Sequence, residues 1–187
     1  MKYFSLNKQS QHVNFKEATI LGQAPDKGFY FPERIPIHAP DFIDQLTKLS
    51  KEEIAFRVME PFVGEAIPAD ELYRIVSETV NFQFPLKFIH PGIASLELYH
   101  GPTFAFKDVG ARFMSRCLSY FSKNQSSKIT ILVATSGDTG GAVANGFLGV
   151  EGIDVIILYP SGKVSPVQEL QLTTCCENIT ALEIDGS

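Results

Sequence analysis

The chain has 187 residues, 44% of them hydrophobic and 20% charged, with 15 Phe and no Trp. That is core material for one well-packed domain or two small ones, and it excludes a disordered or fibrous protein. A net charge of −5 and a pI of about 5.4, with no Lys/Arg stripe, argue against nucleic acid or an anionic membrane as partner.

The opening MKYFSLNKQSQ turns polar within a few residues. It lacks the apolar run of a signal peptide, and no later stretch reaches the ~20 apolar residues of a membrane span, so a cytoplasmic protein is expected. Pro25-Asp26-Lys27-Gly28 reads as a turn leading into the short apolar run FYFP. Asp41 is placed to cap a short helix over DFIDQLTKL, with Phe42, Leu46 and Leu49 on one face. Ser50 is placed to cap the next helix, KEEIAFRVMEPF, where Glu53 completes a capping box. Pro61 and Gly64 are expected to end it. Pro68 opens a third helix, ADELYRIVSETVNF, with Leu72, Ile75, Val76 and Val80 at helical spacing. These elements predict a helical N-terminal domain over residues 1–90.

Pro85 and Pro91-Gly92 punctuate the chain, and its pattern changes there. A helix is predicted from Asp108 through ARFMSRCLSYFSK. The β-branched run at residues 129–135 reads as a buried strand. A glycine-rich turn, a small-residue helix (GAVANGFLG), a second apolar strand (DVIILYP), a helix over residues 166–173 and a last strand (ITALEID) follow. Strands alternating with helices predict a βαβαβ arrangement with a parallel sheet over residues 91–187, and an α/β fold class. The three cysteines, Cys117, Cys175 and Cys176, fit no metal-ligand or CxxC spacing. They read as reduced cysteines of a cytosolic protein, and no metal site is expected.

Two stretches carry chemistry. In HGPTFAFKDVGARF, Lys107 stands between Phe106 and a helix-capping Asp108. A lysine at the mouth of a helix, its stem against aromatics, suits covalent chemistry with a carbonyl. A surface lysine lying over Phe side chains would look the same. In ATSGDTGGAVA, a strand end, a turn with Gly137, Gly140 and Gly141, and a helix starting near Thr139 gather backbone N–H groups into one concavity. That is a site for a carboxylate or phosphate. It equally describes a plain βα turn capped by Asp138 or Thr139. The loop lacks the Lys-Ser/Thr of a Walker A motif and does not match GxGxxG.

HGPTFAFKD, then ATSGDTGGAVA, then VIILYPSGKVSPVQELQ, preceded by YFSLN, VNFKEA and DKGFYFPERIP, together resemble the threonine synthase family of fold-type II pyridoxal-phosphate enzymes. The resemblance runs in order along essentially the whole chain. It implies a threonine-synthase-like N-terminal domain followed by the first βαβαβ part of a tryptophan-synthase-β-like catalytic domain. It implies pyridoxal 5′-phosphate as cofactor, carried by Lys107, which also moves protons at the substrate's Cα and Cβ. Phe106 would pack beside the cofactor, and Asp138 would stand near its phenolic oxygen, where many relatives have Asn. Thr135, Ser136, Gly137 and Thr139 would hold the substrate α-carboxylate. Lys163 would help with the substrate phosphate, unless it is simply a solvated loop lysine. The implied reaction converts O-phospho-L-homoserine and water to L-threonine and phosphate.

Two other outcomes fit the same residues: a phospho-lyase releasing a keto acid, and a catalytically inactive fragment serving as a folding or interaction module. The sequence contains no SGNFG-type phosphate loop and ends at IDGS, just after a strand. The expectation is therefore a truncated piece that binds cofactor poorly and catalyses little by itself. The resemblance leaves oligomeric state open.

Overall fold

A computed structural model describes residues 1–123, 127–175 and 177–186; Cys176 thus lies outside the described residues. The chain divides into two compact units, residues 1–80 and 81–187.

In the first unit, β1 (Tyr3–Ser5) pairs antiparallel with β2 (Tyr30–Pro32). The predicted Pro25–Gly28 turn lies between them and is organised by Asp26. Its Oδ1 accepts from the Ser5 hydroxyl at 2.6 Å and from Gly28 N–H at 3.0 Å, and its Oδ2 from Gln9 N–H at 2.9 Å. Gly28 is obligatory here because a Cβ would sit 2.1 Å from Ser5 Oγ. The Ser5 hydroxyl, then the two backbone donors, hold the Asp26 carboxyl down at about 2. In the unfolded chain it titrates near the usual ~3.9. A depressed folded-state pKa contributes stability that is complete above pH ~4 and is lost as pH falls through about 2. The wild-type melting temperature is therefore expected to fall between pH 5 and pH 2 more steeply than that of Asp26→Asn. Parallel curves would show that the turn does not depend on this charge.

Helix α1 (Phe15–Leu21) opens with a capping box between Asn14 and Glu17. Helix α2 (Pro40–Gln45) is shorter than expected, passing into a single 3-10 turn at Leu46–Lys48. Asp41 does not cap it. The cap position is Ala39, Pro40 takes the first helical position where its missing N–H costs nothing, and Asp41 falls within the first turn. Helix α3 (Lys51–Val63) starts at the Ser50/Glu53 capping box, an arrangement worth about 1 kcal/mol. It runs through Pro61 and stops only at Gly64, whose φ of 59° is open to glycine. Pro61 is tolerated so near the end because only one ladder bond is lost. The Phe62 carbonyl, one of those the helix end leaves without a donor, accepts from the Tyr3 hydroxyl at 2.8 Å, and burial pushes that phenol up to about 12. Helix α4 (Ala69–Thr79) buries Leu72, Ile75 and Val76 against α3, each such side chain contributing about 1.5–3 kcal/mol.

The second unit begins before the boundary at residue 90 that the prolines suggested. Residues Leu86–His90 (β3) and Ile93–Leu96 (β4) pair as an antiparallel hairpin turning at Pro91-Gly92, with Gly92 at φ 80°. Helix α5 (Lys107–Ser122) follows. Then come β5 (Ile129–Ala134), α6 (Asp138–Phe147), β6 (Ile153–Pro160), α7 (Pro166–Thr173) and β7 (Ile179–Ile184). The three strands form a parallel sheet in the order β5-β6-β7, as the alternating pattern predicts. Ile153, Val155, Ile157 and Tyr159 of β6 are buried on one face. Strand β5 is not the fully buried strand its composition suggested. Its residues alternate, and Leu132 is 67% exposed, because β5 is an edge strand covered on one face among the described residues. The small residues of α6 permit close approach on both sides. A Cβ on Gly140 would lie 2.5 Å from Thr135 Cγ2 and 2.8 Å from Leu172 Cδ2, and one on Gly146 would lie 3.2 Å from Ala111 on α5. Cys117 is buried in α5, and desolvation pushes its thiol up to about 12, which makes it unreactive. Among the described residues no helix is long and apolar enough to cross a membrane.

Candidate functional site

Lys107 is the first residue of α5. Its side chain is exposed, with Nζ 5.9 Å from the centre of the Phe106 ring. Asp108 does not cap the helix: the cap position is Phe106, which makes no side-chain cap bond. The Asp108 carboxylate is buried, 1% exposed, and folds back on the preceding loop. Its Oδ2 accepts from Thr103 N–H at 2.9 Å and its Oδ1 from the Thr103 hydroxyl at 2.5 Å.

The loop between β5 and α6 is built by Thr135. Its Oγ1 accepts from Gly137 N–H at 3.2 Å and Gly140 N–H at 3.1 Å and donates to the Gly137 carbonyl at 3.1 Å. This hydroxyl is used within the loop, so Thr135 shapes the turn. Helix α6 then begins with Gly137 at the cap position and no side-chain cap. Neither Asp138 nor Thr139 fills that role; the Thr135 hydroxyl takes the Gly137 and Gly140 N–H groups, which leaves the N–H groups of Asp138 and Thr139 and the positive end of the helix dipole for an external anion. Ser136 is exposed, and its hydroxyl has no protein partner among the described residues.

An open cavity of about 420 Å³ lies between α5 and α6. Phe106, Lys107, Met114, Thr139, Ala142 and Phe147 are among its lining residues. It thus brings together three of the residues singled out in the sequence, Phe106, Lys107 and Thr139, from stretches some thirty residues apart. Its wall is almost entirely apolar, and Lys107 supplies the cation at its rim. Asp138 is not in the lining. Its Oδ1 accepts from Gln168 Nε2 on α7 at 2.7 Å. Lys163 is not in the lining either; its ammonium donates to the Gly186 carbonyl at 3.2 Å.

Gln168 was not singled out in the sequence. Its Oε1 accepts from Ser165 N–H and Oγ at 3.3 and 3.0 Å, completing a capping box at the start of α7, while Nε2 reaches Asp138. The S-x-x-Q spacing of Ser165 and Gln168 is a readable signal for the first role; nothing local signals the second. No cluster of potential metal ligands occurs among the described residues.

Residues 2–80 match a family profile described as threonine synthase N terminus. The whole chain is 40% identical over 188 residues to a threonine synthase of Buchnera aphidicola subsp. Baizongia pistaciae, covering 44% of that protein. It is 38% identical over 186 residues to that of Escherichia coli K12, covering 43%. Among solved structures, threonine synthase from E. coli matches all of this chain and 43% of its own, with a TM-score of 0.91 at 38% identity. A PLP-bound threonine synthase from Brucella melitensis matches with a TM-score of 0.91 at 38% identity, covered to 42%. The chain therefore spans less than half the length of these relatives, and along all of its own length it is similar to their N-terminal portion.

Proposed function

We propose that this chain, as the N-terminal portion of a threonine synthase, contributes the cofactor lysine and the substrate-carboxylate loop to an enzyme converting O-phospho-L-homoserine and water to L-threonine and phosphate. In this reading the first unit, residues 1–80, corresponds to the family's N-terminal domain, and the remainder to the first part of a fold-type II, tryptophan-synthase-β-like catalytic domain in a cytoplasmic protein. The observation that carries it is the convergence of Lys107 and Thr139 on one apolar cavity at the N-terminus of α6.

The residues present fit pyridoxal 5′-phosphate. A planar aromatic ring matches the apolar wall, Phe106 offers an aromatic face, and Lys107 is the cavity's primary amine. When bound, the cofactor supplies an electron sink for negative charge developing at the substrate's Cα. The chain's own residues do the rest. Lys107, held at the cavity rim, takes the proton from Cα and then one from Cβ so that phosphate can leave Cγ, and protons return to Cγ and Cα as water adds at Cβ. Ser136 and Thr139, with the Asp138 and Thr139 N–H groups at the start of α6, bind the α-carboxylate and orient the Cα–H bond; Gly137 would join them only by releasing its N–H from Thr135, which keeps that turn in shape. Asp138 would reach the cofactor through Oδ2, its Oδ1 being held by Gln168. Lys163 would meet the substrate phosphate only by leaving the Gly186 carbonyl.

The test is product analysis on the full-length protein supplied with O-phospho-L-homoserine. Threonine and phosphate in equal amounts support this function. A keto acid, ammonia and phosphate would identify a phospho-lyase, and no turnover would leave an interaction module as the surviving account.

A further inference from the structure

We propose that Asp108 and Thr103 act as a positioning pair that fixes the direction in which Lys107 leaves the start of α5. The inference rests on the reading of Lys107 as the cofactor lysine. An acidic residue in the first turn of a helix ordinarily faces solvent, where the helix dipole stabilises it. Asp108 instead is buried and spends both carboxylate oxygens on one residue of the preceding loop, Thr103. That two-point grip closes the segment between them into a compact loop. Phe104 N–H donates to the Gly101 carbonyl at 3.1 Å, and Asp108 N–H to the Ala105 carbonyl at 3.0 Å.

Two further features show that the grip is over-determined. Gly101 has no room for a side chain, since a Cβ would stand 2.4 Å from Asp108 Oδ2. Phe104 is held at φ 59°, a conformation that a bulky residue adopts only when its surroundings impose it. Its ring is exposed, so packing of that ring does not impose it. The backbone that carries Lys107 is thus clamped from both sides, by α5 after it and by the Thr103–Asp108 loop before it. The clamp also occupies both oxygens of the neighbouring carboxylate. Lys107 makes no ion pair among the described residues, although an aspartate adjoins it in sequence. The amine therefore stays available to a carbonyl instead of being tied up as half of a salt bridge.

The measurement is the rate at which cofactor-free, full-length protein captures added pyridoxal phosphate, followed by the absorbance of the lysine-bound cofactor and confirmed by borohydride trapping and peptide mass. Thr103→Val, which deletes one of the two bonds, is expected to slow capture about tenfold, because small misplacements of a reacting group are costly. Thr103→Ser restores the hydroxyl and should return the rate to within about twofold of wild type. Ser115→Ala is the control for loss of helix stability, since the buried Ser115 hydroxyl bonds the Arg112 carbonyl within α5 and touches neither loop nor cavity. It should lower the melting temperature without slowing capture. Wild-type capture by Thr103→Val, or a slowing in Ser115→Ala that matches its melting loss, overturns the positioning role. Lysine-bound cofactor persisting in Lys107→Ala overturns the functional reading beneath it and the inference together.

Discussion

Lys107→Ala in the full-length protein is expected to abolish the visible absorbance of lysine-bound cofactor and to lower turnover on the order of 10²–10⁴-fold or more. The expectation follows from position. Lys107 is the lysine in the lining of the cavity between α5 and α6. Lys163, the other candidate, donates to the Gly186 carbonyl outside it. Exposure alone would not distinguish Lys107 from other surface lysines. What does is the combination of an apolar wall, an adjoining aromatic ring and the first turn of α6, which reaches the same cavity at Thr139. Borohydride reduction followed by peptide mapping reads the result directly. Labelled cofactor on a peptide lacking Lys107 would sink the assignment, whatever the activity of the alanine variant.

Ser136→Ala and Thr139→Val should each weaken substrate binding by about 1–3 kcal/mol, or roughly five- to 150-fold, the worth of a hydrogen bond to a charged group. Both changes spare the turn, because its internal bonds run through the Thr135 hydroxyl and the amides of Gly137 and Gly140. The lysine-bound cofactor's absorbance should therefore survive in both variants, separating a lost carboxylate contact from a collapsed loop. An apparent substrate affinity unchanged in both would reduce ATSGDTGG to a structural βα turn.

Where local physics decides the structure, the sequence is readable. Ser50 and Glu53 announce the start of α3, the spacing of Leu72, Ile75 and Val76 marks the buried face of α4, and three apolar runs with intervening helices specify the parallel sheet. The departures have their own causes. Pro61 ends no helix because it stands only two residues from the end of α3, where a single ladder bond is lost. The β3–β4 hairpin hides because its strands are short and its side chains almost all exposed, leaving no alternating burial to read. The candidate site divides in the same way. The lysine and the glycine turn are visible as residue types in context. That Thr135 closes the turn, that Asp108 holds Thr103, and that Gln168 reaches Asp138 depend on which way side chains turn once the helices are docked.

The bond from Gln168 to Asp138 gives this part of the molecule a polarity. A carboxylate can only accept, so the amide of Gln168 must present its NH₂ to Asp138 and its oxygen to the Ser165 cap, and a single orientation satisfies both ends. An asparagine at position 138 would present either an acceptor or a donor, and the chain of bonds could then reverse, setting the amide nitrogen against the Ser165 N–H. The aspartate thus works like a diode for hydrogen bonding between α6 and α7. Positions 138, 165 and 168 form one unit of substitution, in which a change at the first alters what the other two can accept.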